Sequence, residues 1–263
     1  MLKRILALLL TLSLCFGLGA CSGGEASGYR VVDRLGGQEL CVAFRDGDRL
    51  RDIITAGMMV LSADGTLAQL SVKWFGDNSV SVPGDADMAG WLQNQPQRVL
   101  ILGYYKGARP LCYEENGQVM GFDADMLTEI CARLGWELRF QAIERGSAAV
   151  ELASGNVDCV AGGFGTDDDA KGLSCSPNYI SERYTIVAKA SSGISRQGAL
   201  KGKVLATLSS STMGAALEEN TRLMERLGRL LVLTSEEECF AALDAGQCDA
   251  VLVSSLCADA YMR

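Results

Sequence analysis

Residues 98–161 read RVLILGYYKGARPLCYEENGQVMGFDADMLTEICARLGWELRFQAIERGSAAVELASGNVDCVA, and this stretch decides the fold class. Val99-Leu100-Ile101-Leu102 is a continuous apolar run suited to a buried strand, and Glu114 to Gly117 is a polar turn ending in glycine. Asp123 to Leu134 carries apolar residues at helical spacing, Gly135 stands where a C-terminal cap belongs, and Trp136 to Ile143 alternates as a strand does. Ser147 to Ser154 predicts a second helix closed by Gly155, and Val157 to Ala161 the next buried strand.

Toward the C-terminus the alternation continues. Strands are predicted at Tyr184–Ala188, Lys203–Leu208, Leu230–Leu233 and Asp249–Val253, with helices at Met213–Leu227 and Glu236–Ala245. Such a βα alternation predicts an α/β protein with mainly parallel sheets. Toward the N-terminus, Leu40 to Arg45 is strand-like, Asp48 to Ala63 is helical with Leu50, Ile53, Ile54 and Met58 as its apolar positions, and Thr66 to Phe75 gives a shorter helix. Ser79 to Gln97 mixes Gly, Pro, Asn and Asp without a sustained period, which is long for a connection inside a compact domain.

The first twenty residues read as a signal peptide: Lys3 and Arg4 precede an apolar run from Ile5 to Leu18, followed by Leu18-Gly19-Ala20-Cys21. An ordinary secretory signal and an uncleaved anchor are the alternatives, but the run is shorter than the roughly 20 residues a bilayer span needs. Residues 21–28 are small and Gly-rich, as a flexible tether is. With 24 basic against 32 acidic residues the chain is acidic, which disfavours nucleic acid as a partner. The chain has no histidine, so the commonest general base, the Ser-His and Cys-His pairs and the commonest metal ligand are all absent. No cofactor or metal is implied, and no catalytic residue stands out. Of the ten cysteines, Cys15 lies in the signal, and none of the eight beyond Cys21 shows C-x-x-C spacing. Cys41, Cys131 and Cys159 sit within apolar patterns, so buried thiols are expected, although an exported location permits disulfides.

Several segments resemble one family. Leu18-Gly19-Ala20-Cys21 is similar to the bacterial lipoprotein signal, which implies cleavage before Cys21 and a diacylglyceryl group on its sulfur. Val119-Met120-Gly121-Phe122-Asp123-Ala124-Asp125, Glu151 to Asp158, Ser176-Pro177-Asn178-Tyr179, Leu200-Lys201-Gly202-Lys203 and Ala242 to Val251 resemble motifs of the family 3 solute-binding proteins, the amino-acid-type binding proteins of ABC importers. Val42 to Asp48 and Asp64 to Gly76 are similar to segments that normally close that family's sequence, yet here they come first. The order implies a circular permutation, or alternatively a truncated tandem of two binding domains.

The resemblance implies a periplasmic binding protein type 2 fold: two α/β lobes, a two-stranded hinge and a central cleft that closes around a small polar ligand. The implied division is a signal over 1–20, a tether over 21–28, a small-lobe and hinge segment over 29–40, a large-lobe segment over 41–78, a linker over 79–97, the large lobe over 98–190 and the small lobe over 191–263. It further implies a non-enzymatic, monomeric, lipid-anchored protein on the outer face of the cytoplasmic membrane, partnered by an ABC permease. A degenerate sensor or scaffold lipoprotein and a dehydratase-like enzyme on the same fold are the alternatives.

In that family an Arg clamps the ligand carboxylate and an Asp takes its amino group; the matching positions here hold Asp169 and Ser254, so both anchors depart from the pattern. Tyr105, Phe164 and Arg145 fall on cleft loops. Arg145 reads either as a replacement carboxylate clamp or as a solvated surface arginine. Ser211 and Thr212 precede a helix, where hydroxyls and free N–H groups receive a ligand anion or cap the helix. Tyr113, Phe122, Trp136 and Trp74 read as packing aromatics, and Asp123 and Asp125 as helix-capping residues.

Overall fold

The computed structural model describes residues 28–165, 170–209 and 211–263, with only the backbone of Ser211. The chain opens with β1 (Tyr29–Leu40), β2 (Ala43–Arg45), α1 (Leu50–Ala63), α2 (Thr66–Phe75) and a short α3 (Ala89–Leu92). Then come β3 (Val99–Tyr105), the hairpin β4 (Tyr113–Glu115) and β5 (Gln118–Met120), α4 (Phe122–Leu134), β6 (Glu137–Ile143), α5 (Ala148–Ser154), β7 (Cys159–Ala161) and β8 (Leu173–Cys175). The remainder comprises β9 (Ile180–Lys189), β10 (Val204–Leu208), α6 (Ser211–Glu219), α7 (Thr221–Met224), β11 (Arg229–Leu233), α8 (Glu236–Asp244), β12 (Ala250–Ser254) and α9 (Ser255–Met262).

Two five-stranded sheets result, ordered β6-β3-β7-β2-β8 and β1-β9-β12-β10-β11. Each has a parallel nucleus, β6-β3-β7 in the first and β12-β10-β11 in the second. The strands that cross between lobes add to these nuclei antiparallel, so the sheets are mixed rather than mainly parallel. In the first lobe Leu100, Leu102, Cys159 and Ala161 meet Ile54, Met58 and Leu61 of α1 and Phe122, Met126 and Ile130 of α4, all almost without exposure. The second lobe packs Ile186, Leu205, Ala250 and Leu252 against Met213 and Leu217 on one face, and Val187, Ala206, Val251 and Val253 against Phe240 and Leu243 on the other.

Two short crossings join the lobes. β1 leaves the second sheet at Leu40 and, after the two residues Cys41 and Val42, the chain enters the first as β2, while β8 leaves the first and returns as β9 through 176–179. They are stitched together: Ser176 N–H donates to the Val42 carbonyl at 2.9 Å, Val42 N–H to Ser176 Oγ at 3.0 Å, and Tyr179 N–H to the Leu40 carbonyl at 3.0 Å. A third link is α9, whose Leu256 is buried in the first lobe's core and whose C-terminal Arg263 donates to the Trp74 and Phe75 carbonyls.

Several expectations are corrected. The large lobe was expected to run to residue 190, but Ile180–Lys189 pairs with β1 and β12, because its Tyr184, Ile186, Val187 and Ala188 belong to the second core. The helix expected over Met213–Leu227 is broken at Asn220, whose side chain accepts from Leu223 N–H and starts α7. The segment 79–97 is not a bare linker: Val80, Val82 and Leu92 are buried against α1, and Asp85 caps a helical turn leading into α3.

Asp123 does not cap its own helix. Wholly buried, it accepts from the Tyr179 hydroxyl at 2.7 Å and from Gly162 N–H at 2.7 Å, tying α4 to the turn after β7 and to the second crossing. Asp125 likewise reaches out, accepting from Lys73 Nζ at 2.6 Å and Trp74 Nε1 at 2.8 Å. Burial lifts the Asp123 carboxyl to about 6 against the pull of those donors. Asp123→Ala orphans both donors and is expected to cost about 3 kcal/mol in urea unfolding. A loss no larger than that of Asp87→Ala on the exposed 79–97 strap would show that Asp123 ties nothing together.

Candidate functional site

Parallel α/β sheets open their ligand crevices at the carboxyl ends of their strands. Here the carboxyl ends of β3 and β6 face the carboxyl end of β11 and the start of α8, and a cavity of about 450 Å³ lies between the two lobes. Tyr105, Lys106, Gly107 and Arg145 line it from the first lobe, and Thr234, Ser235, Glu237 and Glu238 from the second. The walls meet at Gly107, where φ is +75° and an added Cβ would stand 3.2 Å from the Ser235 Cβ. Glycine is required there by both conformation and approach.

Arg145 follows β6 on a half-buried turn, its guanidinium carbon 4.7 Å from the centre of the Tyr105 ring. Its charge acts on two carboxylates of the second lobe, Glu182 of β9 and Glu236 of α8, each only 4 % exposed. Glu182 Oε1 accepts from Gln38 Nε2 at 2.6 Å, while Oε2 has no well-formed partner among the described residues. Glu236 Oε1 accepts from Ser254 N–H at 2.6 Å. Desolvation first, and the neighbouring Glu236 charge second, push the Glu182 carboxyl up to about 8, while Gln38, Arg145 and Ser254 oppose the rise. Desolvation also raises Glu236, with Arg145 and Ser254 pulling it back. At neutral pH Glu182 is therefore mostly the neutral acid, and the Arg145 charge opposes the rise at both carboxyls.

Of the expected site residues, Tyr105 and Arg145 line the cavity together. Arg145 is half-buried rather than freely solvated, its guanidinium lying over the Tyr105 ring and its charge acting on two buried carboxyls. Phe164 has no exposure and packs in the first lobe's core beside Cys41, Ala43 and Leu152, and its carbonyl accepts from Cys41 N–H at 3.1 Å. Ser254 is also turned to structural work, with 5 % exposure, Oγ capping α9 at Cys257 N–H and its own N–H holding Glu236. Thr212 lies half-buried in the first turn of α6, beyond the cavity's lining. Ser211 opens that helix, its side chain outside the description, and Asp169 and Cys21 lie outside the described residues.

A family model described as bacterial extracellular solute-binding proteins, family 3, matches residues 100–245, more than half of the chain. This chain belongs to that family. As a family 3 protein it has the type 2 periplasmic binding protein fold, and solved structures agree with that fold. An ABC uptake transporter substrate binding protein from Streptococcus pneumoniae with bound histidine superposes with TM-score 0.57 at 24 % identity, over 62 % of this chain and 68 % of that one. Holo ArgBP from T. maritima superposes with TM-score 0.53 at 24 % identity, over 62 % and 72 %. The arginine-binding extracellular protein ArtP of Bacillus subtilis (strain 168) is 25 % identical over 176 residues, 64 % of this chain and 65 % of ArtP. The L-cystine-binding protein TcyA of the same organism is 26 % identical over 160 residues, 60 % of this chain and 58 % of TcyA. The chain thus spans less than two thirds of the length of these curated relatives.

Sequence reasoning missed Glu182, Glu236 and Gln38 in this family 3 protein. The signal for Glu182 was present, as a single acid inside the apolar alternation that continues through Tyr184 and Ile186. Glu236 was masked by Glu237 and Glu238, a run that reads as an ordinary acidic helix start.

Proposed function

We propose that this chain is the binding component of an ABC importer, anchored through a lipid on Cys21 at the outer face of the cytoplasmic membrane, and that its lobes close on a small amino-acid-like zwitterion. The observation that carries the reading is the charge arrangement across the interlobe cavity: Lys106 and Arg145, beside the single acid Glu144, on one wall, and the acids Glu237 and Glu238 on the other. Arg145 presents the fork that matches a carboxylate, and the Tyr105 ring beneath holds its plane. Glu238 is committed to Thr234, whose N–H it accepts at 2.9 Å, which leaves Glu237 as the acid for an ammonium group. Arg145 takes over the carboxylate from the position where Asp169 stands, and the acidic role of Ser254's position passes to the neighbouring Glu236 and Glu237. The names of ArtP and TcyA, arginine- and cystine-binding, fit a ligand of this class.

The chain order fits a circular permutation. Residues 29–75 supply β1 to one sheet, β2 to the other, and α1 and α2 to the first core, around the segment where the family match begins. A second reading, a sensor or scaffold lipoprotein, is favoured by one feature: Arg145 already compensates the buried acids without any ligand. A thermal-shift screen against amino acids, dipeptides, polyamines, small sugars and organic acids separates the two. At a hundredfold excess over Kd, one ligand stabilises by about 2.7 kcal/mol. A shift with an α-amino acid or close relative is expected, and silence across the panel from folded protein would favour the sensor.

A further inference from the structure

We propose that Cys41 and Cys175 are a disulfide-forming pair that ties together the two strands crossing between the lobes. The register of the first sheet places Ala43 opposite Cys175, so Cys41, two residues earlier, projects from the same face as the diagonal neighbour of Cys175. Both thiols meet in one cluster, Cys41 wholly buried within it and Cys175 packed against it, with Ala43, Leu152 and Phe164 around them. Both are reduced in the structure, as are the other described cysteines. Cys41 is the first residue after β1 and Cys175 the last of β8, so a bond between them spans the root of both crossings, beside the Val42–Ser176 hydrogen bonds.

The two thiols differ in a way that suits the chemistry. The neighbouring Cys175 thiol and desolvation together push the Cys41 thiol far up. Cys175 is partly exposed while Cys41 is wholly buried, so Cys175 is the thiol an external disulfide reaches and acts as the nucleophile. Its thiolate attacks one sulfur of an external disulfide, either a small-molecule disulfide or an oxidised thiol oxidoreductase, and expels a thiolate. Cys41 then gives up its proton and attacks Cys175 Sγ in the mixed disulfide, expelling the second thiolate. Two protein thiols are oxidised and one external disulfide is reduced to two thiols. An extracellular family makes such oxidants available. The bond closes a loop running from Cys41 to Cys175, which contains the whole first-lobe nucleus.

The test is to incubate the folded full chain with oxidised glutathione, block remaining thiols with iodoacetamide after denaturation, and map peptides without reduction. The expected result is one linked peptide pair holding residues 41 and 175, with Cys112, Cys131, Cys159, Cys239, Cys248 and Cys257 alkylated. The oxidised form should also unfold at a higher temperature than the reduced form, a difference that Cys175→Ser removes. Alkylation of both Cys41 and Cys175 in the wild-type map, or a bridge from either to another cysteine, overturns the proposal without depending on whether a variant folds.

Discussion

Arg145→Met will lower solute affinity at least a hundredfold and destabilise the protein by about 1 kcal/mol, because the buried acids beside it lose a cation whose charge opposes their desolvation. The two effects have separate origins. Affinity falls because Arg145 is the cationic group of the cavity wall placed over Tyr105 to take a carboxylate. Stability falls because Glu236, only 4 % exposed, loses the positive charge that opposes its desolvation. Neutralising the acids separates the two. Arg145→Met combined with Glu182→Gln and Glu236→Gln should regain most of the stability in urea unfolding while binding stays lost. A triple variant no more stable than Arg145→Met would mean that Arg145 does not serve the acids. Arg145→Lys keeps the charge but not the fork, and is expected to be stable and weak in binding.

The second large effect is on pH. Glu182 carries a folded value raised to about 8, and Asp123 one raised to about 6. A raised carboxyl means that the folded state binds protons more tightly than the unfolded chain. Its contribution is full below the unfolded value, near 4, and is lost as pH rises through the folded value. Unfolding free energy should therefore fall between about pH 4.5 and 8, by an amount on the order of 6 kcal/mol, about 4 from Glu182 and about 2 from Asp123. Asp64, Glu238 and Asp249 are held below their ordinary values by hydrogen bonds and act with the opposite sign, but they are mostly exposed and matter only as pH drops toward 4. The groups facing Glu182 are Glu236, Arg145, Gln38 and Ser254, so the slope above pH 6 belongs to that cluster. Glu182→Gln should flatten it and leave the Asp123 part below pH 6. A wild-type curve that is flat from pH 6 to 8 would contradict the burial of Glu182 as a proton-holding acid.

Much of the fold was legible because its nuclei follow local rules. The run Val99–Leu102, the helix ending at Gly135 and the strand before Ser254 were each marked by period and punctuation within a dozen residues. What was not legible depends on long-range pairing. The assignment of Ile180–Lys189 to the second sheet rests on partners at 29–40 and 250–254, and no local pattern encodes which sheet a strand will join. The site divided in the same way. Tyr105 and Arg145 sit at strand ends, where ligand crevices form, and line the cavity. Phe164 sits at a strand end too but turns inward, and Ser254 spends its hydroxyl on α9 and its N–H on Glu236, choices that only packing reveals. Glu182 and Glu236 come from distant parts of the chain and become a pair only when β9 and α8 meet beside β12.

The most direct measurement is calorimetric titration of the amino acid that emerges from the thermal-shift screen into wild-type protein and into the folded Arg145→Met, Glu182→Gln, Glu236→Gln triple variant at the same pH. The account predicts one site per chain in the wild type and affinity weakened at least a hundredfold in the triple variant. Equal affinity in the two proteins would place the ligand elsewhere and contradict the assignment of the interlobe cavity.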